Sequence, residues 1–132
     1  MSTRCVIATY SKHSAIPPRA LLVRIKNKVV GKDFSVCIAF SGPKRLLALN
    51  RAYRRKSYTP NVLAFRMGKK DGEVFVCPEV AAREARAVGI AARTRVAYLV
   101  IHGLLHLKGM THGATMSKSE KRLCAFFKLP EP

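Results

Sequence analysis

Residues 96–112 read Val96-Ala97-Tyr98-Leu99-Val100-Ile101-His102-Gly103-Leu104-Leu105-His106-Leu107-Lys108-Gly109-Met110-Thr111-His112. Wound as a helix, this stretch is apolar on most sides, so it is expected to be central and buried. His102 and His106 are four apart and share one helix face, from which two imidazoles can reach one ion. Gly109 can end the helix in a left-handed conformation and turn the chain back. His112 then approaches the same ion from a loop. A lone histidine on an apolar helix is usually a satisfied core residue, but three at i, i+4 and i+10 have metal-ligand spacing. Three neutral nitrogen ligands leave a fourth tetrahedral position open for water, as catalytic rather than structural zinc sites do. Imidazole ligation favours zinc, one ion per chain, and spacing alone also admits nickel, copper or iron.

Outward from this helix the chain alternates strand and helix signals. Arg4 to Tyr10 is β-prone. Pro17 and Pro18 suit the opening of a helix running through Leu21, Leu22 and Ile25 toward Gly31. Asp33 to Phe40 alternates as a second strand. Ser41-Gly42-Pro43 opens a helix with Leu46, Leu47, Leu49 and Tyr53 on its apolar face and Arg51, Arg54, Arg55 and Lys56 clustered near its end. Asn61 to Met67 and Glu73 to Cys77 read as strands joined by a turn at Lys69-Lys70-Asp71-Gly72. Pro78-Glu79 opens a further helix to about Val88, stopped by Gly89. Thr94 is the expected cap of the histidine helix. Ser117-x-x-Glu120 has the form of a capping box for a last helix through Phe127. With no linker or internal repeat, residues 1–132 are read as one domain. The expected fold class is α+β: a small mixed sheet of about four strands, flanking helices and a central helix that carries metal ligands.

Composition narrows the partners. Twenty-five Lys and Arg stand against seven Asp and Glu, a net +18. Such a field favours polyanions, and for so small a chain points to nucleic acid, without choosing RNA over DNA. A membrane partner lacks support: there is no lipidation signal, no secretory pattern at the start, and the apolar run Val96 to Ile101 is far too short to span a bilayer. A cytoplasmic location is the expectation. Cys5, Cys37, Cys77 and Cys124 are scattered without a C-x2-C pair, so they read as reduced, buried thiols. His13, alone in a polar stretch, reads as a surface residue.

The same histidine spacing occurs in zinc peptidases of the H-E-x-x-H-x-x-G-x-x-H type, where a glutamate after the first histidine is the general base. Here that position is Gly103, which has no proton-accepting side chain. This argues strongly against a peptidase, while activation of water by a metal remains available. The eleven residues His102 to His112 closely resemble the H-G-x-L-H-L-x-G-Y-D-H hallmark of the YbeY-type rRNA maturation factors. Leu49-Asn50-x-x-Tyr53-Arg54 is similar to that family's L-N-x-x-Y-R block, and Asn61-Val62-Leu63-Ala64-Phe65 to its (N/D)-V-L-S-F strand. Gly72-Glu73-Val74 resembles its G-D-I step, and Met116-x3-Glu120 suits its closing helix. The matching blocks run from about Leu46 to Leu123; residues 1–45 fit only in their order of elements.

The resemblance implies a mixed sheet with packed helices and a zinc site at one end of a cleft. It also implies a metal-dependent endoribonuclease for single-stranded RNA, serving 16S rRNA 3′-end maturation and ribosome quality control. Its partners would be rRNA, the small ribosomal subunit and assembly proteins, and the chain would act as a monomer. Carried over by position, His102, His106 and His112 would be the ligands, and Arg54 with His102 would carry catalysis. Arg51, Arg55 and Lys56, beside Arg54, would contact RNA. Tyr53 and Tyr58 are candidates to stack on unpaired bases, with core packing the better role for Phe65. No carboxylate stands out as a general base; Asp71, Glu73 and Glu79 have no assigned place. Departures are Met110-Thr111 for the hallmark Tyr-Asp, Ala64 for serine and Arg66 for proline. The aspartate is the natural partner for a ligand's ring, and Thr111 supplies a hydroxyl without the charge. Two rivals stand beside this reading: a zinc-containing rRNA-binding assembly factor that does not cut, and a metallohydrolase of another phosphoester or amide.

Overall fold

A computed structural model describes residues 5–11 and 13–129. The chain runs β1 (Cys5–Thr9), α1 (Arg19–Val30), β2 (Ser35–Phe40), α2 (Pro43–Arg54), β3 (Val62–Gly68), β4 (Asp71–Val76), α3 (Pro78–Val88), α4 (Ala92–Leu107) and α5 (Ala114–Phe126). The strands form one mixed sheet in the order β1-β2-β4-β3. β1 and β2 are parallel, β2 and β4 are parallel, and β3 pairs antiparallel with β4. The parallel pair β1–β2 needs a crossover, which α1 supplies, whereas β3 and β4 form a hairpin. The α+β class, the mixed four-stranded sheet and the central histidine helix are as the sequence reads. Arg4, where the first strand was expected to begin, lies outside the described residues.

Strand periodicity sorts the core into two faces. Val36, Ile38 and Phe40 of β2, with Val74 and Val76 of β4, turn toward α1 and α4. Ala39 and Phe75, with Leu63 of β3, turn the other way, onto Leu46 of α2. α4 is the central element of the larger face: Val96, Val100, Ile101 and Leu104 have no exposed surface. It lies unusually close to the sheet because two glycines make room. A Cβ on Gly103 would stand 2.6 Å from Val74 Cγ1, and one on Gly72 would stand 2.7 Å from Leu107 Cδ2. No single helix among the described residues is long and apolar enough to cross a membrane.

Two expected caps are corrected. α4 starts at Ala92 with Ala91 as its cap, and Thr94 sits inside the first turn. Side-chain tethers account for the earlier start: Arg93 donates to the Ser14 carbonyl at 3.1 Å, and Arg95 to Glu84 at 3.0 Å. The last helix begins at Ala114, capped by Gly113 at φ 150°, a conformation that favours glycine. The chain thus enters α5 directly after His112. Ser117 N–H donates to the Gly113 carbonyl at 3.0 Å, so Ser117 lies within the helix and caps nothing. Glu120 is left free for a different partner.

Candidate metal centre

The last turn of α4 presents His102 and His106 on one face, and the loop after it brings in His112. Gly109 ends the helix as expected, at φ 100°, with its N–H donating to the His106 carbonyl at 3.0 Å and the Met110 N–H donating to the Leu105 carbonyl at 3.0 Å. One nitrogen from each of the three rings lies within 4.8 Å of the other two. The ring centroids of His102 and His106 are 4.7 Å apart, and His112 stands 5.3 and 5.0 Å from them.

The partners of the outer ring nitrogens fix what the inner ones can do. His102 Nδ1 is 3.0 Å from Glu120 Oε2, and His106 Nδ1 is 2.9 Å from the Met110 carbonyl oxygen. A carboxylate and a carbonyl accept, so both rings carry a proton on Nδ1 and donate it. Their Nε2 atoms face each other 3.1 Å apart. With both protons on Nδ1, two lone pairs meet there, and they repel unless a proton or a metal cation sits between them. Nitrogens bound tetrahedrally at about 2.0–2.1 Å stand roughly 3.3 Å from each other, so the observed separation fits one shared ion. Burial, and after it the neighbouring His102, holds the His106 imidazole below the usual histidine range. It is therefore neutral near pH 7, as a metal ligand must be.

A cleft of about 890 Å³ opens over these rings. The three histidines and Arg54 all line it, together with Tyr58, Asn61, Glu84, Arg95 and Tyr98. Arg54 is brought there by α2 and by the buried Asn50 beneath it. Arg54 Nη1 donates to Asn50 Oδ1 at 3.3 Å, and Asn50 Nδ2 donates to the Tyr58 carbonyl at 2.9 Å. One amide thus ties the arginine to the loop that forms the cleft wall. Elsewhere in the lining Glu84 accepts from both Asn61 and Arg95.

The structure brings together four of the expected residues and separates others. Arg51, Arg55 and Lys56 are exposed at the same end of α2 but outside the cleft lining. Tyr53 and Tyr58 are 70% and 54% exposed, open to a ligand. Phe65 packs edge-on between Tyr53 and Phe75, as its core role required. Cys77 and Cys124 are buried, while Cys5 and Cys37 are only half-buried. His13 is half-buried, and its Nδ1 accepts from the Ala15 N–H at 3.1 Å. The rings of His102 and His106 are held by Glu120 and the Met110 carbonyl rather than by Thr111, which is exposed. Glu120 is the site residue that sequence reasoning missed. Its signal was its rarity: a lone acid in the basic last helix of a chain with seven acids in all.

Comparison with known proteins agrees with this geometry. A family model described as Endoribonuclease YbeY matches residues 10–125. The Endoribonuclease YbeY of Thiobacillus denitrificans is 35% identical over 127 residues, covering 89% of this chain and 86% of that protein. The protein of the same name from Aromatoleum aromaticum is 33% identical over 124 residues, covering 88% of this chain and 80% of its own. A solution structure of a Thermotoga maritima protein has the same fold, with a TM-score of 0.65 at 24% identity, over 95% of this chain and 92% of that one.

Proposed function

This chain belongs to the YbeY endoribonuclease family, and from that membership and the cleft geometry we propose that it is a zinc-dependent endoribonuclease acting on single-stranded RNA. The observation that carries the reading is the cluster of three histidines, with the Nε2 atoms of His102 and His106 3.1 Å apart, in a cleft that also contains Arg54. His102, His106 and His112 are the ligands of one zinc ion. A bound zinc supplies Lewis acidity toward a phosphoryl oxygen and activates water at neutral pH.

The protein's own groups do the rest. Arg54, always charged, binds the scissile phosphate and offsets the negative charge that grows there in the transition state. Asn50 holds that guanidinium in place. Tyr58, exposed at the cleft wall, offers a face on which an unpaired base can stack. An unpaired strand has base faces free to stack there, whereas the bases of a duplex are already stacked on one another. The +18 charge gathers and retains RNA, with Arg51, Arg55 and Lys56 contacting phosphates beyond the cleft. We place the activity in 16S rRNA 3′-end maturation and ribosome quality control, in the cytoplasm. The small ribosomal subunit and its assembly proteins are then the partners of a monomeric enzyme.

The test is cleavage of one RNA as a single strand and as a duplex, by the zinc-loaded protein and by His106→Ala. The wild type is expected to cut the single strand in preference to the duplex, and the variant to lose at least 100-fold in rate, on the order of an electrostatic catalytic group. RNA left intact by a protein holding stoichiometric zinc would overturn the nuclease reading in favour of a non-cutting assembly factor.

A further inference from the structure

Glu120 occupies a place where a carboxylate is costly. It lies between Met116 and Cys124 at four-residue spacing on α5, and all three are buried. Burying a carboxylate among apolar side chains is unfavourable unless it gains a partner of opposite charge. The chain has 25 lysines and arginines, yet among the described residues Glu120 is paired with the His102 ring, whose Nδ1 stands 3.0 Å from its Oε2. The two side chains are 8% and 15% exposed, so little water screens the contact. Tyr98, four residues before His102 on α4 with its ring 6.0 Å from the imidazole, lies beside the pair, and burial holds its phenol well above the usual range.

We propose that Glu120 is a positioning residue of the metal centre: it holds His102 in the Nδ1-protonated tautomer, turns Nε2 toward His106 and His112, and adds the negative charge that three neutral imidazoles lack. The inference rests on the reading of the three histidines as a metal site. A ring nitrogen that binds a cation passes positive charge to the far N–H, so the bond to Glu120 strengthens when the ion is bound. This gives the buried carboxylate the opposite charge that its position demands. It also places the ring's support eight residues beyond the last histidine, on α5 rather than in the loop that carries Thr111.

The test is zinc affinity, measured by competition with a chromophoric chelator, for wild type, Glu120→Gln and Glu120→Ala. The glutamine variant keeps the shape and an accepting oxygen but not the charge. Its affinity is expected to fall 10- to 100-fold, with the alanine variant lower still, while the metal-free glutamine variant keeps the wild-type circular dichroism. Wild type that binds zinc one to one, together with Glu120→Gln within twofold of it, would overturn this inference alone. Wild type that binds no zinc would overturn the histidine site itself. A second measurement needs no variant: long-range 15N–1H spectra of the zinc-loaded wild type should show His102 bound through Nε2 with its proton on Nδ1. Binding through Nδ1 would contradict the role of Glu120.

Discussion

Arg54 and the three histidines come from well-separated parts of the sequence, and three of the four are each held by one neighbour. Arg54 leans on Asn50, His102 on Glu120, and His106 on the Met110 carbonyl. The guanidinium spends one N–H on Asn50, and among the described residues its other donors have no hydrogen-bonding partner. A planar fork held in this way suits a phosphate, which a lysine would meet only as a point charge. Replacing Arg54 by Ala should lower kcat for single-stranded RNA about 100-fold, and Arg54→Lys should restore little of it. A lysine variant with wild-type kcat would show that charge alone suffices. At this scale the histidine cluster was legible and its supports were not. Histidine spacing is a local pattern, and so it survives in the sequence. The contact between Glu120 and His102 joins residues eighteen apart through the packing of α5 on α4, and the local Ser117-x-x-Glu120 pattern pointed to a cap instead.

At the scale of elements, the decisive feature is how near α4 lies to the sheet. Gly103 was legible as a missing peptidase base. Its structural reason was not, because nothing local says that residue 103 faces Val74. A side chain there would enter the sheet before it reached the cleft: the added Cβ would stand 2.6 Å from Val74 Cγ1 and 3.2 Å from Val62 Cγ2. Gly103→Ala should therefore cost about 1–3 kcal/mol, as overpacking of a close-fitted core does, and should push out the turn that carries His102 and His106. Thermal denaturation of the metal-free protein checks this, and an unchanged Tm would show that the helix has slack. Helix starts at Pro43 and Pro78 and stops at Gly89 and Gly109 could be read directly, because proline and glycine act on their own backbone. The starts of α4 and α5 could not. Arg93 and Arg95 set the first through distant partners, and the second is set by the need to leave His112 at once.

For the whole molecule, the order of elements and the mixed sheet followed from alternation of strand and helix signals. Strand order did not, because the insertion of β4 between β2 and β3 is a matter of tertiary pairing. That topology brings the end of α2 and the loop after it, β3, α3, α4 and the loop carrying His112 around one cleft. A net charge of +18 attracts any polyanion, so binding of RNA alone would say little about the site. The central claim is that one zinc on the three histidines makes the cleft cut RNA. It is tested most directly by stripping the purified protein with a chelator, titrating zinc back, and following bound metal and cleavage of a single-stranded RNA in the same samples. Cleavage should be absent at the start, rise in proportion to bound zinc and level off at one ion per chain. Full cleavage by the metal-free protein, or none at one zinc per chain, would contradict the account.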